Sequence, residues 1–267
     1  MDRRTLITGL PLLWLAGPRI AQAANPLTLW GPPAAPSIIL AQAAAAKLPA
    51  AVATDGAVFR TWKNPDEMRA GLSSGTMEAV VVPTYVAANL YNRGLGLRLV
   101  NVLTDGLLYV VAPPGTASDI AGLVGKRVAV PFRNDMPDYI LRRLLDAAGL
   151  RPDQLDIDYS GTPPEAVQML FAGRVQAALL SEPAASGAIA RARATGTRLE
   201  RVIDCQKAWA AVAGRTVIPQ AGLAVSDRLI DRIGPDGLAA LQSSLEAALQ
   251  SVRKDPAGAA AAAAPAL

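Results

Sequence analysis

The sequence contains no histidine and one cysteine, Cys205. Without imidazole the chain lacks the commonest general base, the commonest metal ligand and every Ser-His or Cys-His nucleophile pair. A lone cysteine excludes an internal disulfide even in an oxidising compartment, and nothing in the sequence around Cys205 suggests a reactive thiol. Lysine is scarce as well, occurring singly at Lys47, Lys63, Lys126, Lys207 and Lys254. Any catalysis would fall to carboxylates or to one of these lysines, and no cofactor or metal is expected.

Aromatic residues make up only 4% of a chain that is 51% hydrophobic, so Ala, Leu, Val and Gly must do most of the packing. The balance of 26 basic against 22 acidic residues gives a net charge of +4, too small and too dispersed for a nucleic-acid footprint. No apolar run reaches the roughly 20 residues that cross a bilayer. The nearest is Leu6–Leu15, which Gly9 and Pro11 interrupt. With Arg3 and Arg4 before it and Ala21-Gln22-Ala23 after it, residues 1–23 read as an export signal. Arg3-Arg4-Thr5-Leu6-Ile7 resembles a twin-arginine signal with Asp2 and Leu6 in unusual places, so both the twin-arginine and the general secretory routes stay open. Cleavage before Ala24 would leave 23 basic and 21 acidic residues out of 26 and 22.

What the chain does have is a repeated pattern. Leu27-Thr28-Leu29-Trp30 opens into Gly31-Pro32-Pro33-Ala34-Ala35-Pro36 and an Ala-rich helical stretch; Arg127–Val130 opens into Pro131-Phe132-Arg133-Asn134-Asp135-Met136-Pro137 and another helix. Further on, Asn64-Pro65-Asp66-Glu67 begins a helix closed by Gly75, with strand Ala79–Val82 and turn Pro83-Thr84 behind it. Its counterpart is Thr162-Pro163-Pro164-Glu165, a helix closed by Gly173, strand Val175–Leu180 and turn Ser181-Glu182-Pro183. Each helix start pairs a capping side chain with Pro at the first helical position and Glu at the third, and each end offers a glycine for a left-handed cap. Serial strand-loop-helix units imply parallel strands with right-handed crossovers.

The expected fold is therefore α/β, with two similar lobes of mixed, mostly parallel sheets. Lobe one takes residues 24–105 and 206–267, lobe two takes 106–205, and the two joining segments form a hinge. The second crossing is expected around Cys205–Gly214. Residues 227–233 and 235–252 read as terminal helices, and 255–267 as an Ala-rich tail without defined structure.

Ligands bind at the carboxyl ends of strands in open sheets, which directs attention to particular loops. Pro33 and Ala34 offer close backbone approach at a helix start, suited to an anion or simply to a rigid turn. Pro83, Thr84 and Tyr85 start a helix after a strand, where the Thr hydroxyl caps the helix or touches ligand. Phe132, Arg133, Asn134 and Asp135 combine an aromatic face, a guanidinium and an amide before a helix, and Arg133 is the leading candidate contact. Asn134 or Asp135 also reads as a helix cap. Trp62 walls the cleft or packs in the core. Glu182 binds an amine or holds the lobes together, Thr104 and Asp105 serve ligand or hinge, and Gln220 is a rim contact.

The segments Gly125-Lys126-Arg127-Val128-Ala129-Val130-Pro131, Ala177–Pro183 and Gly71–Pro83 are similar to the soluble substrate-binding proteins of ABC importers, in the nitrate, sulfonate, taurine and thiamine-precursor group. The resemblance covers roughly residues 27–230 and implies the type II periplasmic binding protein fold. It further implies a monomer in the periplasm that closes on a small anionic or heterocyclic solute and delivers it to a membrane permease, without catalysis. An enzyme of thiamine-precursor synthesis on the same fold, and a periplasmic sensing module, remain alternatives.

Overall fold

The computed structural model describes residues 25–266, so the export signal expected at 1–23 lies outside the described residues. The two halves of the sequence repeat build two five-stranded sheets. In the first, β1 (Leu27–Gly31) is followed by α1 (Pro36–Ala45), β2 (Ala57–Thr61), α2 (Pro65–Ser74), β3 (Ala79–Pro83), α3 (Thr84–Asn92) and β4 (Leu97–Leu99). In the second, β5 (Leu108–Ala112) precedes β6 (Arg127–Pro131), α4 (Met136–Ala147), β7 (Asp156–Ser160), α5 (Pro163–Phe171), β8 (Ala177–Ser181), α6 (Ala184–Ala194), β9 (Glu200–Asp204) and α7 (Cys205–Ala213). β10 (Ala221–Ser226) then returns to the first sheet, followed by α8 (Asp227–Lys254) and α9 (Pro256–Ala263).

The strand orders are β2-β1-β3-β10-β4 and β7-β6-β8-β5-β9. Superposing one order on the other matches β1 with β6, β2 with β7 and β3 with β8. In both sheets these three strands are parallel, and the fourth strand runs antiparallel to its neighbours. The capping logic of the sequence accounts for the matched helices. The Asn64 side chain accepts from the Asp66 and Glu67 amides, and Gly75 closes α2 at φ 74°. The Thr162 hydroxyl accepts from the Glu165 amide, and Gly173 stands at φ 67°. Each sheet is buried on both faces, as parallel sheets are, and its central strands carry runs such as Ala79–Val82 and Ala177–Leu180 that are fully sequestered.

Two segments join the sheets, residues 100–107 and 214–220. They run side by side: the Ile218 amide donates to the Asp105 carbonyl, the Gln220 amide to the Thr104 carbonyl, and the Leu103 amide to the Ala221 carbonyl. The second crossing thus lies later than the sequence suggested. Residues 205–213 form α7, which stays with the second sheet because Cys205, Trp209 and Val212 cover the same core as Leu141 and Leu144 of α4.

The C-terminal stretch also departs from expectation. The break at Gly234 (φ 67°, ψ 179°) before Pro235 divides α8 as foreseen, but residues 256–263 are helical rather than unstructured. Asp255 caps the Gly258 amide, Pro256 presets the first turn, and Ala259 and Ala263 are buried in a helix that packs on α1. Alanine has the best intrinsic helix propensity, and the small-residue surface of α1 gives this helix a close partner.

Cys205 is fully buried, and burial, with a smaller contribution from the negative charge of Asp204, pushes its thiol up to about 12. The thiolate is the reactive species, so the native protein should resist thiol reagents until it opens. Labelling by an aromatic disulfide reagent across a denaturant series should follow the unfolding transition. Complete labelling within seconds in native buffer would contradict the burial of this site.

Candidate functional site

Strands β1, β3, β6 and β8 each hand over to a helix at their carboxyl ends, and those ends meet between the two sheets. A cavity of about 60 Å³ lies there, walled by Trp62, Val82 and Pro83 from the first lobe and Phe132, Met136 and Ser181 from the second. Gln220 and Leu107, from the two crossing segments, complete it. The cavity lies on the seam between the lobes, so parting them would widen it.

The wall is mostly apolar. Trp62 is buried, and its indole N–H donates to the Val81 carbonyl at 3.1 Å, which leaves the ring itself to face its surroundings. Across the cleft lies Phe132, its ring centroid 6.0 Å away and tilted by 53°. Phe132 adopts φ 59°, a left-handed conformation that is uncommon for a bulky residue, so its placement is imposed by the surrounding fold.

Polar contacts also bridge the lobes beside the cavity. Asp135, 2% exposed, caps α4 through the Met136 amide while accepting from the Tyr85 hydroxyl at 2.9 Å and the Arg69 guanidinium at 3.2 Å. Tyr85 and Arg69 belong to the first lobe, Asp135 to the second. Burial holds the Asp135 carboxyl above its ordinary range against the opposing hydrogen bonds from Met136, Tyr85 and Arg69. Burial and the adjacent Asp135 charge likewise drive the Tyr85 hydroxyl upward, so it stays a donor. Tyr139 meets the Tyr85 ring edge-on at 5.3 Å, and the Ala35 amide donates to the Glu182 carbonyl at 2.8 Å. Together these contacts describe a closed arrangement of the lobes.

Of the residues expected at the site, Ala34, Trp62, Pro83, Phe132 and Gln220 line the cavity. Pro33 does not, although its neighbours Pro32 and Ala34 do. Tyr85 and Asp135 form the bridge just described. Thr84 donates its hydroxyl to the Pro219 carbonyl, and Thr104 accepts from the Ala221 amide, so both serve the crossing strands, as does Asp105 through its carbonyl. Glu182 accepts from the Ser186 amide and pairs with Arg201, which turns its carboxylate away from the cavity. Arg133 lies outside: it is exposed and stacks on Tyr159 with 5.0 Å from guanidinium carbon to ring centre. Asn134, also exposed, sits at φ 58° with its amide on Asp138. Left-handed backbone on both sides of Arg133 swings its side chain out of the cleft.

Ser181, Met136 and Arg69 were not anticipated. Ser181 was within reach of the repeat, since it occupies the strand end that matches Pro83. Arg69 carried no such signal, because it lies in mid-helix and its partner comes from the other half of the chain.

The model of the NMT1-like family matches residues 65–264. The chain belongs to the NMT1-like family. No curated protein matches its sequence. Among solved structures, this NMT1-like chain is similar to an ABC transporter protein from Parabacteroides distasonis, with TM-score 0.69 and 20% identity over 89% of this chain and 77% of that one. It is also similar to the periplasmic aliphatic sulphonate binding protein SsuA of Escherichia coli, with TM-score 0.65 and 15% identity over 91% and 79% of the two chains. A third is the alkanesulfonate-binding protein SsuA of Xanthomonas axonopodis bound to MOPS, with TM-score 0.61 and 18% identity over 91% and 80%. The NMT1-like protein therefore has the two-lobed α/β fold that the resemblance implied. No helix among its described residues is long and apolar enough to cross a membrane, and none of its described acidic or cysteine side chains cluster as a metal site would.

Proposed function

We propose that the protein is the solute-binding component of an ABC-type importer, exported to the periplasm, where it captures one small molecule between its lobes as a monomer and delivers it to a membrane permease. The observation that carries this reading is the cavity itself, walled from both lobes and closed by Asp135 reaching across to Tyr85 and Arg69. Two crossing segments hydrogen-bonded side by side supply a hinge, so the lobes rotate as units and the solute tips the balance by touching both. The site makes or breaks no bond: its polar side chains are Ser181 and Gln220, neither with a base to activate it. That two structural neighbours are sulfonate-binding proteins agrees with capture as the task, while the ligand is set by the residues of this cavity.

Protein starting at Ala24, purified without refolding, should carry one small molecule in a native mass spectrum and release it chemically unchanged on denaturation. Removing that solute should lower the melting temperature, and adding it back should restore it. Turnover of the bound molecule into a product would replace this reading with an enzymatic one.

A further inference from the structure

The cleft has the wrong chemistry for an anion. Among the described residues no charged side chain lines the cavity, and the nearby charges already have partners: Arg69 on Asp135, Arg201 on Glu182, and Arg133 over the Tyr159 ring outside. The helix starts around it, which in other settings hold anions by free N–H groups, are largely engaged as well. At α1 the Ala34, Ala35 and Ser37 amides donate to Pro32, Glu182 and Ala34 carbonyls, and Pro36 has no N–H to offer. The Thr84 amide donates to the Gln220 carbonyl, the Met136 amide to Asp135, and Pro137 again offers none. An anion enclosed here would lose its hydration and find few donors in return.

One buried group does ask for a partner. Gln220 is 7% exposed and lines the cavity, and its side-chain carbonyl oxygen has no hydrogen-bond partner among the described residues. Native proteins rarely leave such an acceptor unpaired. Its backbone, in contrast, is fixed on both sides: the amide donates to Thr104 and the carbonyl accepts from Thr84. The crossing segments therefore fix the Gln220 backbone in a wall that Trp62 and Phe132 share.

We propose that the captured solute is a neutral molecule with a flat or apolar body that lies against Trp62 and Phe132, and with an N–H or O–H group donated to the Gln220 side-chain oxygen. A primary amide on a ring is the simplest chemical class that fits. The inference rests on the solute-binding reading above. Of the anionic and heterocyclic solutes that the sequence reading left open, it keeps the flat ring and sets aside the anion that Arg133 suggested.

Matched pairs of probes separate charge from shape. Benzamide and nicotinamide should raise the melting temperature of the solute-free protein and bind measurably by calorimetry, with benzoate, nicotinate and ethanesulfonate at least roughly thirtyfold weaker. Gln220→Met should weaken the amides by about tenfold while leaving the unliganded melting temperature equal or higher, because a buried unpaired acceptor is removed. Arg133→Ala should leave both affinities unchanged. Tighter binding of the carboxylates or the sulfonate, or a Gln220→Met variant with undiminished amide affinity, would overturn the neutral-solute inference and leave solute capture standing. Failure of every probe to bind would count against the inference. If the native mass spectrum also showed no bound solute, the capture reading would fall with it.

Discussion

Asp135→Ala should release the lobes from one another. The substitution removes the acceptor shared by Tyr85 and Arg69, two charge-assisted hydrogen bonds that exist only while the lobes are together. Arg69 is 33% exposed on its side chain and has Asp66 3.5 Å away, so the freed guanidinium is not stranded. The loss from the closed state should therefore be about 2 kcal/mol, near the lower part of the range for hydrogen bonds to charged groups. That corresponds to a roughly 30-fold shift toward open protein. Loss of the α4 cap should subtract about 1 kcal/mol more from global stability. Distance distributions between labels on the two lobes would read the first effect, and chemical denaturation the second. Asp135→Ala with an unchanged distance distribution would show that these contacts do not hold the cleft shut.

Asp135→Asn dissects the same site by charge. Asparagine keeps the helix cap and an acceptor for Tyr85 but cannot ionise. In the closed state burial raises the Asp135 carboxyl above its ordinary value, whereas parting the lobes exposes it to water. A group that binds its proton more readily in one state favours that state as pH falls. Closure should accordingly strengthen as pH drops from above the raised value toward the ordinary carboxylate range, and should level off below it. The facing groups are the Arg69 guanidinium and the Tyr85 hydroxyl, and burial with the Asp135 charge shifts the hydroxyl upward, away from this window. Asp135→Asn should flatten the acid-side dependence of closure.

The parts of the fold that repeat were legible because their causes are local. Asn64 and Thr162 cap helices by reaching two or three residues along the chain, and the glycines at 75 and 173 take conformations that few other residues accept. From these came the strand-helix pairs, and from the pairs the cleft at the carboxyl strand ends. What escaped depended on remote partners or on backbone that residue type does not announce. Arg133 looked like a ligand contact because it stands at the end of β6, yet Phe132 and Asn134 at positive φ send it to Tyr159. The same turn carries the Phe132 ring into the cavity, so one feature defeated one expectation and fulfilled the neighbouring one. Residues 256–263 looked featureless because their helix is completed by α1, more than 200 residues earlier in the chain. Gln220 was noticed only as a rim residue, since nothing in the sequence around it shows that its amide oxygen would be buried without a partner.

Gly222→Val should damage the protein more severely than any surface change, and the reason lies in the crossing strands. Gly222 sits in β10 between β3 and β4, in register with Val82. A β-carbon there would overlap the Asn101 carbonyl oxygen and crowd the Leu99 side chain. The obstacle is backbone and cannot rotate away. It also belongs to the segment that Leu223 holds through the Asn101 side chain and that Ala221 holds through the Leu103 amide. To admit even a methyl group, the first crossing segment must lift from β10, weakening the ladder that joins the lobes. Gly222→Ala should cost about 3 kcal/mol, at the upper end for overpacking, and lower the melting temperature by roughly 6–12 °C. Gly222→Val should exceed that, because its second and third carbons meet the same wall. Gly187→Ala is the matched control: it lies inside α6 with nothing within 4 Å of a new β-carbon, so it should be neutral or raise stability by up to about 1 kcal/mol through helix propensity. Equal melting temperatures for Gly222→Ala and Gly187→Ala would mean that the crossing segment yields without penalty. The lobes would then be joined by a softer hinge than the hydrogen-bonded pair of strands implies.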